Sequence, residues 1–370
     1  MEKEKKIKVG ITHGDINGIG YEVILKTLED NRLLELCTPV IYGSAKIAAF
    51  YRKAANMPVV PLNQIASASE ARDGANNIIN VIGEDVKVEP GQSTEAAGQS
   101  AFIALERAVN DLRHNEIDVL VTAPINKRNI QSATFTFPGH TEYLESSIGD
   151  GAKALMILCN DIMRVALVTT HCPLNQVAAN ITTDGIVEKL TVFNRSLIRD
   201  FGIVAPRIAV LSLNPHAGDS GLLGTEENDI IIPAIQQARE SKILCFGPYA
   251  ADGFFGSGNF KKFDGVLAMY HDQGLAPFKT VAMDSGVNFT AGLPFVRTSP
   301  DHGTGYDISS KGEANEESMR QAIYAAIDIS RNRRQYDEMT RRPLRRKYFD
   351  KSGDKEVLDL TKDTDADNDL

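Results

Sequence analysis

Short apolar runs that alternate with helical patterns constrain the fold of this chain more than any other feature. The runs have the length and apolar character of buried strands, and amphipathic stretches of helical period follow them. Strands that alternate with helices predict an α/β architecture with a largely parallel sheet and helices on its faces. The predicted strands are 7–11, 39–42, 77–82, 119–122, 154–158, 165–169, 207–211, 265–269 and 280–283. The predicted helices are 21–34, 45–55, 93–113, 141–148, 185–201, 226–241 and 316–331.

Length and charge exclude several classes of protein. The 370 residues suffice for two domains, and the net charge of −9 gives no general attraction to nucleic acid or anionic membranes. The first ten residues lack the apolar core of a signal peptide, and no apolar stretch approaches the ~18 residues of a membrane span. Widely spaced cysteines without a C-x-x-C pair predict reduced thiols in a cytoplasmic protein. These cysteines are Cys37, Cys159, Cys172 and Cys245.

A glycine-rich loop, "GDINGIGYEVILKTL" at 14–28, follows the first predicted strand. Strand, glycine loop and helix form the layout of a phosphate or dinucleotide cradle. The spacing is G-x-x-x-G-x-G, however, which is neither the Rossmann fingerprint nor a P-loop. The loop alone therefore does not establish nucleotide binding.

Histidines follow the predicted strands more often than a random distribution along the chain would give. Of seven histidines, four come just after an apolar run, at 13, 171, 216 and 271. Ligands collect at the carboxyl ends of strands in open α/β sheets, although a single histidine there is more often an ordinary hydrogen-bonded residue. His171, His216 and His271 together could offer three neutral imidazoles to a divalent metal with an open coordination position.

Two further segments carry candidate anion ligands. His140 and Thr141 in "FPGHTEYL" stand at a helix start, where Thr141 could cap the helix or the backbone N–H groups could bind an anion. Lys279, Asn288 and Arg297 lie in a turn-rich stretch and would suit a phosphorylated or carboxylated small molecule. Taken alone, those three residues are better explained as solvent-facing side chains.

Several motifs in order resemble the 4-hydroxythreonine-4-phosphate dehydrogenase family of vitamin B6 biosynthesis. They are "THGDINGIGYE", "VTAPINK", "GHTEYL", "TTHCPLNQV", "LNPHAGDSGLLGTEE", "YHDQGLAPFK" and "GVNFTAGLPFVRTSPDHGTGYDI", which together extend from about 8 to 327. The resemblance implies a homodimer whose metal site is completed across the subunit interface. It assigns metal binding to His171, His216 and His271, and substrate binding to His140, Thr141, Lys279, Asn288 and Arg297.

The family is also similar to the isocitrate and isopropylmalate dehydrogenases, which bind NAD(P) without a Rossmann fingerprint. The resemblance implies two α/β/α domains with a cleft between them: 1–130 plus 300–360, and 131–299 with the metal site and dimer interface. Residues 361–370 are predicted to be a solvated acidic tail. "HGTGYDISSKG" resembles the cofactor loop of those enzymes, which implies that NAD or NADP lies near His302, Gly303, Thr304 and Asp307.

The opening loop departs from the family pattern G-D-P-A-G-I-G-P-E. Ile16, Asn17 and Tyr21 replace Pro, Ala and Pro, and His13 stands where Pro or Met is usual. These departures leave the metal and substrate residues intact. They bear on the cofactor contacts and on the exact substrate, because related dehydrogenases act on erythronate or threonate phosphate.

The implied reaction oxidises the C3 hydroxyl of 4-phosphohydroxy-L-threonine with NAD(P)+ and a divalent metal such as zinc, cobalt or magnesium. Decarboxylation then gives 3-amino-2-oxopropyl phosphate. Asp272, Asp252 and Lys127 are candidates for the proton acceptor, and Asp272 could instead orient the neighbouring histidine. A metal-dependent hydrolase and a catalytically silent phospholigand-binding protein are alternatives, but the hydrolase leaves the cofactor-like loop unexplained.

Overall fold

The computed structural model describes residues 6–282 and 284–341 and confirms the α/β architecture. Its strands are β1 (Ile7–Thr12), β2 (Cys37–Gly43), β3 (Leu62–Ile65), β4 (Asn76–Asn80), β5 (Val119–Thr122), β6 (Leu155–Cys159), β7 (Arg164–Leu167), β8 (Ile208–Leu211), β9 (Cys245–Tyr249), β10 (Gly265–Ala268), β11 (Val287–Ala291) and β12 (Val296–Pro300). Its α-helices are α1 (Gly20–Leu28), α2 (Leu33–Leu36), α3 (Ala45–Ala54), α4 (Glu95–Arg113), α5 (His140–Ile148), α6 (Val177–Asn180), α7 (Thr183–Arg199), α8 (Ile232–Glu240), α9 (Ala251–Gly256), α10 (His271–Ala282) and α11 (Glu317–Thr340). No helix in these ranges is long and apolar enough to cross a membrane.

One sheet connects all twelve of these strands, in the order β3-β4-β2-β1-β5-β12-β11-β6-β7-β10-β8-β9. The first six strands in this order are parallel to one another, and so are the last four. Between them, β11 and β6 form antiparallel pairs, so that the two parallel blocks run in opposite directions. The predicted division into two domains stays a prediction, and the sheet is continuous through both.

Helices cover the sheet because their apolar residues recur at helical spacing. In α4, Ala97, Ala101, Ala104, Leu105 and Ala108 form one buried face against the sheet. A threonine before α4 and another before α7 accept a hydrogen bond from a first-turn N–H, which starts each helix at a defined residue. Strands such as β2 are buried along their whole length, as strands covered on both faces are.

Sheet twist brings the ends of the two blocks together. Four strand steps separate β5 from β7, and a twist of roughly 20–25° per step rotates β7 by roughly 80–100° relative to β5. Lys127, after β5, consequently contacts His171, after β7, with Nζ and Nε2 3.3 Å apart. Side chains that follow strands of opposite nominal direction therefore share one site.

Several predicted elements were wrong in extent or type. The predicted strand 280–283 is the end of α10 as far as Ala282, and Met283 lies outside the described residues. The turn-rich stretch that carries Asn288 and Arg297 was predicted to be a loop region, but it contains β11 and β12. Both strands lie in the middle of the sheet and are paired on both sides. The predicted helix 21–34 is interrupted after Leu28. The predicted tail 361–370 lies outside the described residues.

Candidate functional site

Two of the predicted metal ligands lie together in the single chain. The ring centroids of His171 and His271 are 6.1 Å apart. His271 begins α10, and its Nδ1 lies 2.7 Å from Oδ1 of Asp272. An Nδ1–H donated to that carboxylate leaves the Nε2 lone pair of His271 available to a cation.

Burial lowers the pKa of His171, and the ammonium group of Lys127 lowers it further. The imidazole of His171 is therefore neutral near pH 7, which is the form that binds a metal. Two imidazoles this close fit a divalent ion in their donor chemistry.

The third predicted ligand, His216, does not join this pair within one chain. No group of three His, Cys, Asp or Glu side chains among residues 6–282 and 284–341 is arranged to hold a metal ion. His216 is exposed and stands at the start of an unusual backbone segment, 216–220, in which five successive residues have positive φ between 43° and 76°. A left-handed conformation costs roughly 1–2 kcal/mol for each non-glycine residue, so contacts outside the segment must hold it.

Arg297 lies deep inside the chain with no carboxylate partner among the described residues. Its side chain is 3% exposed, on β12. The guanidinium donates to Oγ1 of Thr122 at 2.6 and 3.1 Å and to Oγ1 of Thr290 at 3.1 Å. Burial lowers the pKa of Arg297 to about 10, and the charge of Glu142 opposes that shift. A buried cation with only hydroxyl partners is a ready receptor for an anion.

His140 and Thr141 occupy the first turn of α5. The predicted helix start is confirmed, but Thr141 is not its N-cap: Gly139 precedes the helix, and no side chain accepts from the first-turn N–H groups. Burial lowers the pKa of His140 well below its usual range, and the charges of Arg297 and Lys127 add to the shift. His140 is therefore a neutral hydrogen-bonding group beside two cations.

The other two predicted substrate ligands lie on neighbouring elements. Lys279 on α10 pairs with Asp301, with Nζ and Oδ1 3.2 Å apart. Burial raises the pKa of Asp301, and the ammonium group of Lys279 counters that shift. Asn288 on β11 carries a buried Oδ1 for which no partner exists among the described residues. A donor from a bound molecule would satisfy this oxygen.

The opening loop packs against the predicted cofactor loop. Gly18 and Gly20 both have negative φ, so close backbone contact is the reason for glycine at these two positions. A Cβ on Gly18 would lie 2.5 Å from the carbonyl oxygen of Thr304, and one on Gly20 would lie 2.0 Å from that of His13. The N–H of Ile19 also donates to the carbonyl oxygen of Thr304 at 2.9 Å.

Asp15 joins three segments at this place, and sequence reasoning missed it. Its carboxylate accepts from the hydroxyl of Tyr306 at 2.7 Å, from Nδ2 of Asn129 at 2.8 Å and from the N–H of Asn17 at 2.9 Å. The aspartate is the second residue of the quoted glycine loop, so a buried polar role could have been suspected from its position.

The three replacements in the opening loop are packing residues. Ile16, Asn17 and Tyr21 are all at most 1% exposed. Asn17 donates from Nδ2 to the carbonyl oxygen of Gln92 at 2.8 Å, and Tyr21 stacks on Tyr51. The three side chains pack beside the first strands of the sheet, and their hydrogen bonds and stacking contacts involve none of the predicted metal or substrate residues.

Most of the remaining candidate catalytic and cofactor-binding residues are exposed. Asp252 is exposed in the first turn of α9 and has no hydrogen bond or ion pair within the described ranges. Gly303 and Asp307 are exposed, and His302 carries a buried Nε2 that lacks a partner in the described part of the chain. Cavities of about 390 and 250 Å³ occur elsewhere, around Arg195 and around Arg164.

Comparisons with known proteins agree with one another. Residues 35–326 match the family model of the pyridoxal phosphate biosynthetic protein PdxA. A 4-hydroxythreonine-4-phosphate dehydrogenase of Bacteroides thetaiotaomicron is 58% identical, over 97% of this chain and 98% of the relative. A relative from Oceanobacillus iheyensis, whose name marks it as an unproven D-threonate 4-phosphate dehydrogenase, is 37% identical over 88% of this chain and 98% of its own.

A solved structure shares the fold. The crystal structure of 4-hydroxythreonine-4-phosphate dehydrogenase from Klebsiella pneumoniae superposes with a TM-score of 0.78 at 35% identity, covering 89% of this chain and 99% of that one. The predicted fold of that enzyme family is confirmed.

Proposed function

The chain belongs to the family of the pyridoxal phosphate biosynthetic protein PdxA, and from that membership we propose that it is a 4-hydroxythreonine-4-phosphate dehydrogenase. It oxidises the C3 hydroxyl of 4-phosphohydroxy-L-threonine with NAD+ or NADP+, and the product loses CO2 to give 3-amino-2-oxopropyl phosphate. The observation that carries this proposal within the site is the buried guanidinium of Arg297, which lacks an anionic partner among the described residues.

Arg297 and Lys279 supply the positive charge that a phosphorylated amino acid requires. Arg297 needs an anion to offset its burial, and Lys279 can exchange Asp301 for a substrate oxygen. His140 and Thr141 add hydrogen-bonding groups at the start of α5, and Asn288 offers its unpartnered oxygen to a donor such as the substrate amine. Together they fix the direction in which the C3–H points.

His171, His216 and His271 would hold the divalent metal. When bound, the ion supplies Lewis acidity to the C3 oxygen, which favours loss of the hydroxyl proton and then decarboxylation. Asp272 keeps His271 in the tautomer that presents Nε2. Of the three candidates for proton transfer, Lys127 contacts His171 and Asp272 contacts His271, whereas Asp252 is exposed on α9.

The cofactor would lie along the loop that contains His302, Gly303, Thr304 and Asp307. Support comes from the buried Nε2 of His302, which is free to bond a ligand, and from the rigid packing of Thr304 against the opening loop. Hydride chemistry belongs to the nicotinamide, so these residues have only to position it.

A homodimer would complete the metal site. Large apolar side chains are exposed beside two of the histidines: Leu174 is 74% exposed near His171, and Leu222 is 78% exposed just after the 216–220 segment. Exposed apolar groups at a site rim favour burial against another chain. Since His216 does not join the other two histidines in one chain, a second copy is the natural source of the missing ligand.

The buried thiols of Cys37, Cys159 and Cys245 suit a cytoplasmic enzyme.

The test is a substrate panel. The purified protein is incubated with Zn2+, Co2+ or Mg2+, with NAD+ or NADP+, and with 4-phosphohydroxy-L-threonine, D-threonate 4-phosphate or D-erythronate 4-phosphate, and nicotinamide reduction is followed at 340 nm. We expect reduction with 4-phosphohydroxy-L-threonine that a chelator abolishes.

Preference for D-threonate 4-phosphate would favour the second candidate function, which the name of the relative from Oceanobacillus iheyensis supports. Absence of reduction with every substrate and metal would refute a dehydrogenase. Release of inorganic phosphate from the same substrates would then favour a metal-dependent hydrolase.

A further inference from the structure

The buried carboxylate of Glu227 lies against the left-handed segment 216–220 and bonds the residues that lead into it. Glu227 is 2% exposed and lies in a single π-helical turn, Glu227–Ile231. Its Oε1 accepts from the N–H of Leu213 at 2.8 Å and from the N–H of Asn214 at 2.7 Å. Its Oε2 accepts from Nδ2 of Asn214 at 3.0 Å. Glu226 shares one of these donors, because its Oε2 accepts from Nδ2 of Asn214 at 2.7 Å. These donors lie between the end of β8 and the left-handed segment.

Glu227 has no cationic partner within residues 6–282 and 284–341, which distinguishes it from an ordinary structural ion pair. A buried carboxylate is stable here only because three N–H groups face it. Gly218 shows how closely the segment is pressed onto it: an added Cβ would lie 2.6 Å from Oε2 of Glu227, and the φ of Gly218 is +76°. The carboxylate of Glu227 and the segment 216–220 are therefore closely packed against each other.

The side chain of His216 has no hydrogen bond of its own among the described residues, and it is exposed. Its position is consequently set by its backbone alone. We propose that Glu227 is a positioning residue that holds the 216–220 segment left-handed, and thereby places the imidazole of His216 for metal binding. This inference rests on the proposed function, because it takes His216 as a metal ligand.

The test compares Glu227→Gln and Glu227→Ala with wild type in Zn2+ titration calorimetry on the full chain. Glutamine keeps one acceptor oxygen but turns an amide NH2 towards Nδ2 of Asn214, so that donor faces donor. We expect Zn2+ affinity to fall about 10–100-fold in Glu227→Gln and further in Glu227→Ala, a loss typical of residues that orient metal ligands. Amide hydrogen exchange at Leu213 and Asn214 should accelerate in the same order.

Asp200→Asn serves as the matched control for lost stability. Asp200 is also a buried carboxylate, 3% exposed, but it contacts Ser196 and Arg333 and not the left-handed segment. This variant should melt earlier than wild type and bind Zn2+ with unchanged affinity. A fall in affinity that merely tracked the melting temperature across all variants would overturn the proposal.

His216→Ala separates this inference from the proposed function. If His216→Ala loses Zn2+ affinity and Glu227→Gln binds like wild type, the positioning role is refuted while the metal site stands. If His216→Ala itself binds Zn2+ like wild type, the metal assignment fails, and the inference fails with it.

Discussion

Replacing Arg297 by methionine should remove substrate binding and leave the protein about as stable as before. Methionine is also long and unbranched, so it can fill most of the same space. The guanidinium gives up three hydrogen bonds to Thr122 and Thr290, each worth about 1.5–3 kcal/mol net because the donor is charged. Removing a buried charge that lacks an anionic partner returns several kcal/mol of desolvation free energy. The two contributions have opposite signs and similar size, so the free energy of unfolding should change much less than the ~3–5 kcal/mol lost when a buried ion pair is broken.

Arg333 provides the contrasting case. It is almost equally buried, 6% against 3% exposed, but its Nε lies 2.6 Å from Oδ1 of Asp200. Arg333→Met would leave a buried carboxylate without its cation, which costs about 3–5 kcal/mol. Urea unfolding of both variants and of wild type, monitored by circular dichroism, measures the difference directly.

Substrate binding, unlike stability, should depend strongly on Arg297. Losing one partner of a buried charge pair costs about 2–5 kcal/mol of binding free energy, which corresponds to roughly 30-fold to several-thousand-fold in kcat/KM. Arg297→Met should therefore be severely impaired with 4-phosphohydroxy-L-threonine, and substrate should no longer raise its melting temperature. If Arg297→Met unfolds as readily as Arg333→Met and still responds to substrate, Arg297 is a structural cation and the reasoning is wrong.

Two further predictions concern the opening loop. Burial lowers the pKa of His13 to about 4 from an unfolded value near 6.5, so acid favours the unfolded chain: the contribution to stability is intact above about pH 6.5, and about 3 kcal/mol is lost as the pH falls from there to about 4. His13→Phe, which can keep the stacking on Tyr21, should flatten this part of the pH profile in urea unfolding; an unchanged slope would contradict it. Gly18→Ala forces its Cβ onto the Thr304 carbonyl and should raise the KM for NAD+, whereas Gly83→Ala, which meets nothing within 4 Å, should not. Equal kinetics in the two alanine variants would refute the role of that contact.

The alternation of short apolar runs and helical patterns was enough to predict an α/β fold, because burial in a layered sheet requires those two periods in the sequence. The same runs located the strands that precede Lys127, His171 and His271, since a polar residue directly after a buried strand lies at the edge of the sheet. The fold and these strand ends therefore depend on local pattern alone. Residue type and spacing did not decide the role of Arg297 or His140, and the resemblance to a known family assigned both to substrate binding.

Other features depend on contacts between segments that are distant in sequence. The strands β11 and β12 look like loops because they are short and rich in polar and turn residues, and they are strands because both edges are paired in mid-sheet. Arg297, expected from local pattern alone to face solvent, is buried because β5 and β11 place Thr122 and Thr290 around it.

The sequence by itself determined the layered α/β fold, the family and the set of candidate ligands, because these follow from periodicity and from residue types in order. Only the tertiary structure decided that two histidines meet in one chain while His216 stands apart, on a left-handed segment that packs against Glu227. It also showed that the glycines of the opening loop are required by the approach of Thr304 and of the His13 carbonyl. The physical reason is that charge burial, backbone handedness and close approach are set by neighbours far away in the chain, and no local pattern records them.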